Sequence, residues 1–118
     1  MLNESIVDKV YLACGNTDMR KSIDGLAAIV SMTFSLDPFS SCLFVFCNKQ
    51  KDKLKILRWD LNGFWLFYRR LERGKFDWPS TKTAKTQLIS RRQLNWLLDG
   101  LSIEQWQAHS EMKARKIV

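Results

Sequence analysis

Residues 53–76 read KLKILRWDLNGFWLFYRRLERGKF. Two runs rich in aliphatic and aromatic residues, KLKILRW and FWLFYRRL, flank DLNG. Asn62-Gly63 is a strong turn signal there, because both residues tolerate positive φ. The segment therefore reads as a β-hairpin. Its faces follow without a fixed register. Whether Asp60 opposes Trp65 or Trp59 opposes Phe64, the two pairings differ by two in sum, so side chains keep the same sides. One face carries Lys53, Lys55, Leu57 and Trp59 with Phe64, Leu66, Tyr68 and Arg70. The other carries Leu54, Ile56 and Arg58 with Trp65, Phe67, Arg69 and Leu71. Neither is purely apolar. The face of Leu54, Ile56, Phe67 and Leu71 is taken as the core side, leaving Lys53, Lys55, Trp59, Tyr68 and Arg70 on an open side. Arg58 and Arg69 fit this division poorly.

Outward from the hairpin, CLFVFC (42–47) is too short for a typical helix and rich in strand formers, which suits a strand buried on both faces. NKQKD (48–52) reads as the loop joining it to the hairpin. KVYLAC (9–14) reads as a first strand ended by Gly15 and Asn16. Thr17 or Asp18 can cap a following helix, in which Ile23, Leu26, Ala27, Val30 and Phe34 form one apolar stripe until Asp37-Pro38 ends it. GKFDWP suggests a last short strand stopped by Pro79, and STKTAKTQ (80–87) a polar loop. Ser90 with Gln93 makes a capping-box pattern before the stripe Leu94, Leu97, Leu98, Leu101, and Gly100 sits where a helix C-cap belongs. The expected fold is α+β: an antiparallel meander of four to five strands with two helices packed on one face. Leu26 and Phe44 are the residues that test its core. One domain is expected over residues 1–103, with a flexible tail over 104–118.

The chain has 118 residues, 46% hydrophobic and 12% aromatic, enough to build a core. No apolar run reaches membrane-spanning length, and MLNESIVDKV lacks the basic start and apolar centre of a signal peptide. Three cysteines, Cys14, Cys42 and Cys47, suit a reducing compartment better than a disulfide framework. A cytoplasmic protein without membrane contact is expected.

Net charge is +7 and unevenly placed. Residues 1–48 hold 3 Lys/Arg against 5 Asp/Glu, while residues 49–75 hold 9 against 3. A localised basic block suits a polyanion, since Lys and Arg gain by releasing phosphate counterions, although a solvated face has the same composition. Lys53, Lys55, Arg58, Arg69, Arg70, Arg73 and Lys75 are the candidate phosphate contacts. Trp59 and Tyr68 are placed to stack on bases or to pack across strands. The same aromatics could instead anchor a protein partner. Arg20 and Lys21 fall in the expected first turn of the first helix. Cations there oppose the helix dipole, so a bound anion, or a salt bridge to Asp18, Asp24 or a residue across the fold, is implied.

Catalytic signals are weak. His109, the only histidine, lies in the tail. Gly74-Lys75 lacks the spacing of a phosphate loop. A metal site from Cys14, Cys42, Cys47 and His109 would require accidental convergence, and Asp18, Asp24 and Asp60 sit beside cations that explain them as ion pairs. No enzyme activity, metal or cofactor is expected of the chain alone.

TDMRKSIDGLA (17–27), DPFSSCLFVF (37–46) and KLKILRWDLNGFWLFYRRLERGKFDWP (53–79) together resemble the small accessory proteins of bacterial insertion sequences of the insertion-sequence-sixty-six type. In that element class they are called TnpB, a name shared with an unrelated RNA-guided nuclease. The resemblance spans about residues 9–101, with Ser22 where a glycine is common. It implies a role in DNA transposition beside a separate transposase that carries the catalytic acids, and no site residues come with it. The expectation is a non-catalytic accessory factor binding DNA at element ends through the hairpin. The alternative is an adaptor that binds the transposase or another element-encoded protein.

Overall fold

The structure, a computed structural model, describes residues 9–104. The expected tail, His109 within it, falls outside these residues apart from Glu104. Five strands form one sheet: β1 (Val10–Ala13), β2 (Leu43–Cys47), β3 (Lys53–Asp60), β4 (Gly63–Arg70) and β5 (Thr86–Ile89), in spatial order β4-β3-β2-β1-β5. The α+β class holds. Strands β2, β3 and β4 form the expected antiparallel meander. β1 departs from it and lies parallel to β2, because helix α1 (Ile23–Ala28) and the π-helical turn that extends it (Ile29–Thr33) carry the chain back to the starting end of the sheet.

Every residue of β2 is buried, as its unbroken apolar run requires. Alternate β2 residues feed two separate cores. Leu43, Val45 and Cys47 join Leu54, Ile56, Val10 and Leu12 beneath Leu94 and Leu97 of helix α2 (Arg91–Leu98). Phe44 and Phe46 join Ala13 and Leu57 beneath Leu26 and Val30. The helices therefore cover opposite faces, and the one-face packing expected from the sequence is corrected. The physical reason is the doubly buried central strand, whose two apolar faces each need a cover.

The hairpin takes the register in which Trp59 opposes Phe64, and its faces divide as the parity argument requires. The Leu54, Ile56, Phe67 and Leu71 side is core as expected. The other side is not open, since Leu57 is fully buried and Leu66 packs against the α1 core. The turn residues are Leu61 and Asn62. The positive φ, 55°, falls on Leu61, and the Asn62 N–H donates to the Asp60 carbonyl at 2.5 Å.

Three further expectations shift. The first helix is capped by the Ser22 backbone, after Asp18 and Lys21 close a turn of their own, so it starts later than Thr17 or Asp18 would place it. GKFDWP forms no strand. Phe76 and Trp78 instead plug the α2-side core, and the Trp78 Nε1–H donates to the Ala13 carbonyl at 2.9 Å. Part of the expected 80–87 loop is the start of β5, which pairs antiparallel with β1. The Ser90/Gln93 capping box and the Gly100 terminus form as read, Gly100 taking φ 79°.

Candidate nucleic-acid interface

Strand directions decide where the basic residues meet. β1, β2 and β4 run toward one end of the sheet, and β3 and β5 leave from it. Segments 14–22, 48–52, 71–76 and 80–85 therefore all lie at that end. Backbone hydrogen bonds tie them together. Cys14 N–H donates to the Lys85 carbonyl and Gly15 N–H to that of Pro79, each at 2.9 Å. Thr17 N–H donates to Cys47, Leu71 N–H to Asp52 and Phe76 N–H to Lys51, each at 2.7 Å. A Cβ on Gly15, whose φ is 77°, would stand 2.6 Å from the Thr81 Cγ2, so this junction needs the glycine.

The loop between β2 and β3 is held by one buried side chain. The Asn48 amide oxygen accepts from the backbone N–H groups of Asp52 and Lys53 at 3.0 Å each, and its NH2 donates to the Asp52 carboxylate at 2.7 Å. That amide holds the Asp52 carboxyl below its usual range. The loop so fixed presents Lys49 and Lys51 to solvent. The Lys75 ammonium donates to the Gln50 carbonyl at 2.8 Å, keeping the 71–76 segment alongside.

The sequence-derived candidates separate into distinct roles. Arg70, Arg73 and Lys75 are exposed at this end, and Lys53 is half-buried beside Asp52 at 3.7 Å. Arg70 also bonds Glu72 at 2.8 Å, which raises its pKa. Arg20 and Lys21 reach the same end, but not from a first helical turn, since α1 begins at Ile23. Arg20 is bound by Asp18, with Nη2 at 2.7 Å and Nε at 3.1 Å from both carboxylate oxygens, and this pairing holds the Asp18 carboxyl down at about 2.

Other candidates make contacts within the fold. Lys55 turns inward and donates to the Met19 and Lys21 carbonyls at 2.8 and 2.9 Å, bracing the loop that carries Arg20 and Lys21. Trp59 packs edge-on against Phe64 and Phe39, both with ring centroids at 5.0 Å, at the far end of the hairpin. Arg58 is only 6% exposed, on β3 between Leu43 and Trp65. Arg69 donates to the Leu98 carbonyl at 3.1 Å, satisfying the end of α2. Tyr68 remains 54% exposed on the edge strand. Lys49, Lys51, Lys82 and Lys85 are the contributors that the sequence reading did not name. The first two were visible only as part of a charge excess, and nothing local in STKTAKTQ signals that it folds beside them.

Among the described residues no group of three or more His, Cys, Asp or Glu side chains gathers as a metal site would need, and no helix is long and apolar enough to cross a membrane. Burial pushes the Cys47 thiol up to about 12. Among the described residues this interlocked end is rich in cations, and its carboxylates Asp18, Asp52 and Glu72 each stand beside a basic side chain.

The model of the IS66 Orf2 like protein family matches residues 8–108. The chain belongs to that family. It is accordingly a transposition-associated accessory protein of the IS66 type. Two proteins from Sinorhizobium fredii (strain NBRC 101917 / NGR234) are similar to it. Uncharacterized protein y4hO is 40% identical over 93 residues, covering 79% of this chain and 80% of that one. Uncharacterized protein y4jC is 32% identical over 93 residues, covering 79% of each. No solved structure matches the chain.

Proposed function

We propose that this IS66 Orf2 like protein is a non-catalytic accessory factor that holds element-end DNA by its phosphate backbone through the basic end of its sheet. The observation that carries the reading is the convergence of Arg20, Lys21, Lys49, Lys51, Lys53, Arg70, Arg73, Lys75, Lys82 and Lys85 there from four separate segments, stitched by backbone bonds. Exposed cations on a fixed frame gain by counterion release and lose little entropy on binding. Relative to the sequence reading, the weight moves from the hairpin face to the loops at its open end.

Fluorescence anisotropy of a labelled element-end duplex, titrated between about 50 and 200 mM salt, tests this. Affinity should fall steeply, with a log-log slope near −0.9 per phosphate contacted, and Lys49→Gln or Lys51→Gln should each make the slope shallower by about one unit. Absence of binding at the lowest salt would overturn the reading.

A second reading, an adaptor for the element's transposase, is favoured by the outer edge of β4. Among the described residues β4 pairs only with β3, and it exposes Trp65 on one face and Tyr68 on the other, each 54%. An unpaired edge flanked by aromatics suits addition of a partner strand. Trp59 is partly buried against Phe39 and Phe64, so the more exposed Trp65 and Tyr68 are the anchors on this reading. Co-purification of the transposase that survives Trp65→Ala and Tyr68→Ala would remove this reading.

A further inference from the structure

At the basic end, the crossover from β1 to β2 leaves a cleft of about 330 Å³ between the carboxyl end of β1, the π-helical turn and the 81–85 segment. Its apolar side is made by Ala13, Ile29 and Phe34, and its rim by Asn16, Thr17, Lys21 and Lys85. Asp18 also lines it, but its carboxylate is already paired with Arg20. Lys21 and Lys85 therefore leave the rim positive.

Three departures from regular backbone geometry surround this one cleft. Gly15 takes φ 77° where the two loops meet. The helix widens into a π turn over Ile29–Thr33, closed by Phe34 N–H to the Ile29 carbonyl at 3.1 Å, and both Ile29 and Thr33 line the cleft. Ser35, next to the lining residue Phe34, holds φ 55°. The π turn also leaves the Thr33 carbonyl facing Lys85, whose ammonium stands 3.5 Å away. A π turn at the end of a helix and a non-glycine residue at positive φ each cost stability, and such features concentrate at binding sites.

We infer that this cleft binds one nucleoside monophosphate unit, with the phosphate between Lys21 and Lys85 and the base against Ile29 and Phe34. The volume lies at the lower end of the range for small-molecule pockets. Ammonium groups meet the phosphate charge, Asn16 and Thr17 supply hydrogen bonds, and the apolar wall accepts a base without reading its identity. The unit can come as a free nucleotide or as the terminal nucleotide of a strand. The inference deepens the DNA-binding reading, because a pocket for a strand end would add to phosphate contacts made along the backbone.

Thymidine monophosphate, thymidine and inorganic phosphate, each titrated against the 15N-labelled full-length chain and followed by amide shifts, test it. Thymidine monophosphate should shift Asn16, Thr17, Thr33 and Lys85 amides saturably, and each of the other two should bind at least about tenfold more weakly, the scale of one charge-assisted hydrogen bond. Lys21→Gln and Lys85→Gln should each weaken the nucleotide about tenfold, and Lys9→Gln, at the opposite end of the sheet, should leave it unchanged. A 5′-phosphorylated oligothymidylate that competes identifies a strand end as the source, and one that fails to compete identifies the free nucleotide. Inorganic phosphate binding equally well, or shifts confined to Lys49, Lys51 and Arg73, would overturn the pocket. Duplex affinity read in parallel separates this failure from failure of the DNA reading, since Lys49 and Lys51 lie outside the cleft.

Discussion

Asp18 and Arg20 show how little of a residue's role its sequence neighbourhood settles. Two residues apart, they could bridge a phosphate or simply pair, and the backbone turn at Asp18 brings guanidinium and carboxylate into bidentate contact. The Asp18 carboxyl is held at about 2, first by the hydrogen bonds from Arg20. Its folded pKa is thus below the ordinary value near 3.9. The stability linked to it is therefore present above that ordinary value and is lost as pH falls through about 2. An NMR pH titration should find the Asp18 midpoint near 2, and in Arg20→Gln it should move up toward the ordinary range. An unmoved midpoint would show that the pairing does not form in solution. Lys55 teaches the same lesson. Its place on a face with Lys53 and Arg70 was legible, but its two backbone acceptors, more than thirty residues away, were not.

Among the elements, the hairpin was the most legible, because strand parity survives ignorance of register. Its turn was not. Asn62-Gly63 offered positive φ, yet the chain turns one residue earlier and places Leu61 at φ 55°. The cross-strand pairing of Trp59 with Phe64, clamped by Phe39, fixes the register and with it the turn. Leu61 is 91% exposed, so replacing it removes no core contact. Leu61→Gly should stabilise the protein by about 0.5–1 kcal/mol, seen as a higher denaturation midpoint with unchanged denaturant slope. α2 was legible at both ends because its cap residues act locally. The start of α1 was not, because Asp18 and Arg20 engage each other before the helix begins.

At the scale of the whole molecule, two cores on opposite faces of one sheet should respond as separate units. Leu26 and Leu97 are both fully buried, one under each helix. Leu26→Ala and Leu97→Ala should each cost about 2–4 kcal/mol, and the double variant should lose the sum to within about 0.5 kcal/mol in chemical denaturation. Marked non-additivity would mean that the two faces form one coupled core. The same layering governs function. Covering both sheet faces leaves the ends and the β4 and β5 edges to meet partners, and on the proposed reading the basic residues act from the loops at one end.

The sequence by itself determined the strands and helices with strong local signals: the doubly buried β2, the hairpin and its faces, the capped α2, and a basic excess centred on residues 49–75. Periodicity and capping are properties of neighbouring residues, so they can be read along the chain. Only the tertiary structure decided that β1 runs parallel to β2, that the helices take opposite faces, and that Lys82 and Lys85 join Lys49 and Lys51. Those outcomes depend on strand order and direction. These are set by which apolar faces must be covered at once, and segments far apart in the chain settle them together.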